Sequence, residues 1–78
     1  MSQFHDLETM IEILDLTIAR QEDEEEFFRR SAQASTSEVA RSLFSELADD
    51  MKNYADSLGQ RKKKLLNALE DLIRAEGQ

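Results

Sequence analysis

The stretch AQASTSEVARSLF, residues 32–44, interrupts a run of helix formers: Ala34-Ser35-Thr36-Ser37 is the only cluster of small polar residues in the chain. Ser35 followed three residues later by Glu38 has the form of a capping box, which satisfies the free amides at the start of a helix, so a second helix is expected to open here. Upstream, Ser2 can cap a first helix, with Asp6 and Glu8 near its positive end. Leu7, Ile11, Leu14 and Ile18 then recur at helical steps. In the same register come Gln21, Glu25, Phe28 and Ala32, so the stripe turns polar for two positions. Downstream, Leu43, Phe44, Leu47, Met51, Tyr54, Leu58, Leu65, Leu69 and Leu72 gather on or near one face.

These signals predict an all-α fold. Its elements are a first helix over about 3–33, a turn over 34–37 and a second helix over about 38–75, forming one antiparallel two-helix hairpin. The turn sets Ile18 near Tyr54, Gln21 near Met51, Glu25 near Leu47 and Phe28 near Phe44. In that register LEDLIRAEGQ, residues 69–78, extends past the start of the first helix, and Leu69, Leu72 and Ile73 form an apolar stripe whose first candidate cover is the partner hairpin of a dimer and whose second is a separate client protein. A single hairpin leaves half of each stripe wet, and a second copy closes a four-helix bundle, so a homodimer is expected.

Composition limits the function. With 78 residues, one domain is the most the chain can hold, and it buries too little surface for comfortable stability as a monomer. It has no Pro, two Gly and 35% charged residues, which favours long helices over strands. Absence of Cys excludes disulfides, thiolate metal sites and a Cys nucleophile. A net charge of −7 repels phosphate backbones, so no nucleic-acid partner is expected. MSQFHDLE carries an acid where a signal peptide has Lys or Arg, and no apolar run reaches the roughly 18 residues of a membrane span. A cytoplasmic protein without membrane contact is the expectation. Arg61-Lys62-Lys63-Lys64 wraps its helix and faces Glu8, Glu12 and Asp15, which neutralise it. Ser and Thr hydroxyls have no base beside them, and His5 sits far from any of the other candidate groups.

Phe27-Phe28, the polar turn and EVARSLFSELADDMKNY (38–54) together resemble the rubrerythrin-like branch of the ferritin-like proteins. In that branch an aromatic pair follows a glutamate of helix 1, and helix 2 reads roughly Leu-Phe-x-x-Leu-Ala-x-x-Glu-x-x-His. LFSELADDMKNY covers the helix 2 motif without a gap, and the wider resemblance runs from about Ile11 to Leu58. It implies a di-iron carboxylate site with ferroxidase- or peroxidase-type activity. Here, however, the motif's Glu falls on Met51 and its His on Tyr54, while the helix 1 Glu falls on Gln21, or on Glu22 if the register differs by one. A thioether, a phenol and an amide make a poor site for a hard cation.

The expectation is therefore a non-enzymatic structural or interaction protein that has lost its di-iron site, with no cofactor. The alternative is a ferritin-like protein binding iron or manganese at the dimer core through Glu22 or Glu25, Asp50 and Tyr54. Glu22 to Glu26, facing Glu46, Asp49 and Asp50, crowd eight carboxylates at that level. They read either as a solvated acidic face or as an oxygen-only site for a divalent cation. Gln21, Glu25 and Tyr54 also suit a buried hydrogen-bonded layer that fixes register.

Overall fold

The computed structural model describes residues 3–77 and contains two helices, α1 (Gln3–Ala34) and α2 (Glu38–Glu76), joined by a three-residue turn. The chain folds as a helical hairpin. Phe28 stacks on Phe44 beside the turn, with ring centroids 6.3 Å apart, and Lys62 reaches Asp15 at 2.6 Å farther along. The expected Ser2 cap lies outside the described residues.

The turn is built differently from the capping box read in the sequence. Ser37, not Ser35, caps α2: its backbone is extended (φ −81°, ψ 131°) and its hydroxyl accepts from the amide of Ala40 at 3.3 Å. Ser35 instead closes α1, its hydroxyl donating to the carbonyl of Ser31 at 2.8 Å and its amide to the same carbonyl at 3.1 Å. The Arg41 guanidinium then donates to the Ser35 carbonyl at 3.1 Å. A serine at each position lets one residue satisfy the last free carbonyls of α1 while another satisfies the first free amides of α2. Glu38 consequently sits in the first turn of α2, where the helix dipole favours an acid.

Packing between the helices is thin. Only Ala32, Ala48, Ala55 and Leu58 are buried among the described residues, and no large side chain is fully buried. Small alanines let the backbones approach, and Leu7, Ile11, Leu14, Ile18, Phe28, Met51, Leu65, Leu69 and Leu72 cover the seam as half-buried flanks. Leu43, Leu47 and Tyr54, read in the sequence as part of one stripe, are 54%, 39% and 48% exposed. The seam through Ala48, Met51, Ala55 and Leu58 is narrower than the apolar arc of α2, and the three residues lie to one side of it. The tail also differs from expectation. Leu72 and Ala68 line a groove with Gln3 and Leu7, so α1 flanks the end of α2 and Ile73 is the exposed member of that stripe, at 52%.

The hairpin is elongated, 62 × 17 × 13 Å across its Cα atoms, with a radius of gyration of 17.8 Å where about 11.5 Å describes a compact domain of this length. Its accessible surface of 5982 Å² exceeds by about 1,100 Å² what a compact monomer of its mass exposes.

Candidate functional site

The level at which the family motif would place a metal is organised around Arg29. Its Nε donates to Oε2 of Glu25 at 2.9 Å, with Nη2 at 2.8 Å from the same oxygen, and Nη2 donates to Oδ1 of Asp49 across the hairpin at 3.2 Å. Hydrogen bonding to Glu25 first, and to Asp49 second, raises the Arg29 pKa, because each carboxylate favours the charged guanidinium. Arg30 pairs with Glu26 at 2.9 Å, and Lys52 pairs with Asp56 at 3.1 Å, one turn beyond the acidic level.

Gln21 and Met51 are half-buried at the seam, whereas Glu22 and Asp50 are exposed. Glu25 bonds to Arg29 rather than to Tyr54, whose ring is about half exposed, so the sequence-predicted hydrogen-bonded layer does not form within one hairpin. Among the described residues no three His, Cys, Asp or Glu side chains converge as a ligand set for a metal ion. His5 is exposed in the first turn of α1.

A second feature is larger. One side of the hairpin is charged, carrying the Arg29–Asp49 and Lys62–Asp15 pairs. The other side is richer in apolar residues, with Arg61 and Lys64 among them. Met10, Ile13, Leu14, Arg61, Lys64 and Leu65 line one groove along it, and Leu7, Ala68 and Leu72 line another nearer the termini. Tyr54 lies two turns before Arg61, Leu47 five turns before Leu65 and Leu43 five turns before Arg61, so all three continue the same face toward the turn. Met10 and Ile13 are 49% and 57% exposed, completing an apolar strip that runs nearly the length of the molecule. Such a strip is more than scattered surface leucines.

Sequence reasoning counted Leu43, Leu47 and Tyr54 as core and passed over Met10 and Ile13. The signal was present in α1: Met10, Ile13, Leu14 and Thr17 are apolar or small on the flank beside Leu7, Ile11 and Ile18, giving an arc too wide for one partner helix. No described helix is long and apolar enough to cross a membrane.

No protein-family model matches the chain, and neither a curated protein nor a solved structure matches it. The rubrerythrin-like reading rests on the sequence pattern of Phe27-Phe28, the polar turn and EVARSLFSELADDMKNY.

Proposed function

We propose that this chain is a non-enzymatic structural or interaction protein whose hairpin pairs, face to face, with a second copy into a four-helix bundle of the ferritin-like kind, its helices antiparallel within each copy. The observation that carries the reading is the apolar strip through Met10, Ile13, Leu43, Leu47 and Tyr54 on a hairpin that buries only four of its described residues. A face of 62 by 17 Å offers about 1,000 Å² per copy, near the surface excess noted above and within the range of stable dimer interfaces. Pairing covers Leu72 and much of the strip at once, so a second copy serves better than a separate client at Leu69, Leu72 and Ile73.

The same reading makes the vacated ligand positions part of a bundle interior. Met51 packs there, Gln21 is a neutral polar neighbour, and Glu25 is satisfied by Arg29, which leaves little anionic capacity for iron or manganese. A cytoplasmic location belongs to this proposal, as does the absence of ferroxidase chemistry. Sedimentation equilibrium tests it: a mass twice the 9.0 kDa of the chain is expected at micromolar concentration, and a 9.0 kDa species at all concentrations overturns it.

A further inference from the structure

Charge is unevenly distributed along the outer stripe of α2. That stripe steps through Leu43, Leu47, Asp50, Tyr54, Ser57, Arg61, Lys64, Ala68 and, one position beyond the next step, Leu72, in alternating intervals of four and three, the spacing of a coiled-coil seam. Ser57 is the midpoint of α2 (Glu38–Glu76). Asp50 lies seven residues before it and Lys64 seven after, with Arg61 one turn after; all three are exposed. On α1, Glu24 stands 11 residues beyond Ile13, about three whole turns, and so extends the acidic end of the same face. The face thus carries acids on the turn side of its centre and bases on the terminal side, at matched distances.

We infer that the second copy lies reversed, its turn over the first copy's termini, so that Asp50 of each copy meets Lys64 and Arg61 of the other. The inference rests on the face-to-face pairing proposed above and fixes its direction. A two-fold axis crossing Ser57 at right angles to α2 lays α2 on α2 and α1 on α1. Leu47 then falls within one residue of Ala68 and Leu43 within one residue of Leu72, with both charged layers matched. Asp6 and Asp71, at the rim of the terminal groove, come over the turn end around Ser31 and Leu43. Arg20 lies near the axis at the rim, where its long side chain turns out to water.

The opposite arrangement, with both turns at one end, lays α2 on α1. Asp50 then faces Glu24 of the other copy, and Arg61 and Lys64 face the apolar residues Ile13 and Met10. Like charges meet twice and the basic groups lose their counter-ions, an arrangement that charge patterning disfavours.

Because the chain has no Cys, a spin label attached through Thr36→Cys in the turn reports direction without interference. The reversed stack places the two labels about 60 Å apart, from 21 residues at 1.5 Å of rise on either side of Ser57. Labels within about 20 Å of one another, set by helix spacing plus the label arm, show both turns at one end and overturn the direction while leaving the pairing intact. A 9.0 kDa species with no intermolecular coupling overturns the pairing itself.

Charge exchange gives an independent reading. Asp50→Lys alone and Arg61→Glu with Lys64→Glu are each expected to raise the dimer dissociation constant tenfold or more, and mixing the two variants to restore it through a heterodimer. If Asp50→Lys alone tightens the dimer, Asp50 faces Glu24 and the reversed stack is wrong.

Discussion

Replacing Ile13 and Leu43 together by alanine strips the apolar face without touching the seam. Both residues are more than half exposed in the hairpin, at 57% and 54%, so the contacts they make within one chain are slight. Full burial of an Ile or Leu side chain contributes about 2 kcal/mol, and covering the exposed half about 1 kcal/mol. Alanine keeps its own methyl, leaving a loss of roughly 0.75 kcal/mol per site, and two-fold symmetry counts each site twice. The expected destabilisation of the dimer is about 3 kcal/mol, a rise in dissociation constant of roughly a hundredfold. Alanine is also the better helix former, so the helices themselves are not weakened by the change. Sedimentation velocity over a concentration series, with circular dichroism to confirm unchanged helicity in the associated state, measures the shift. A dissociation constant within about threefold of the parent's, far less than 1.4 kcal/mol of change, would refute the assignment of this face to the interface.

Other consequences follow from the turn, the seam and the acidic level. Ser37→Ala removes the side-chain cap of α2 and is expected to cost about 1 kcal/mol in urea denaturation, whereas Ser35→Ala, which leaves that cap in place, costs less. Ala48, fully buried in the seam, does not accept a larger residue: Ala48→Leu is expected to lose about 1–3 kcal/mol, against a change within about 0.5 kcal/mol for Ala19→Leu on the exposed charged side. Titration with Fe²⁺ or Mn²⁺ at micromolar concentration is expected to give no stoichiometric binding by calorimetry; uptake that disappears in a Glu25→Ala, Asp50→Ala variant would instead establish a metal site.

Much of the hairpin is legible in the sequence, because helix propensity, an absence of Pro and one cluster of small polar residues agree with one another. Phe28 opposite Phe44 follows from the position of the turn alone. The cap was harder: Ser35 and Ser37 both suit an N-cap, and what separates them is the carbonyl of Ser31, which claims the Ser35 hydroxyl for the end of α1. The division of the apolar arc was harder still. Periodicity groups Leu43, Leu47 and Tyr54 with Met51 and Leu58 because all lie within one broad arc, and only the narrow alanine seam decides which of them turn inward. At the acidic level, composition announced crowded carboxylates but not that Arg29 would hold Glu25 and Asp49 together, a pairing that depends on which rotamer a long side chain takes across the hairpin. Asp15 with Lys62, by contrast, realises the neutralisation read from the sequence.

If the hairpin draws its stability from a second copy, that stability depends on protein concentration, since folding and association are then one equilibrium. Thermal unfolding followed by circular dichroism at concentrations spanning a hundredfold measures this. Each tenfold rise adds about 1.4 kcal/mol to the dimer, which for about 150 residues raises Tm by about 4 °C. A midpoint that climbs in those steps is the predicted result. A midpoint that stays constant across the whole range contradicts the account, because the hairpin then folds alone despite its thin seam.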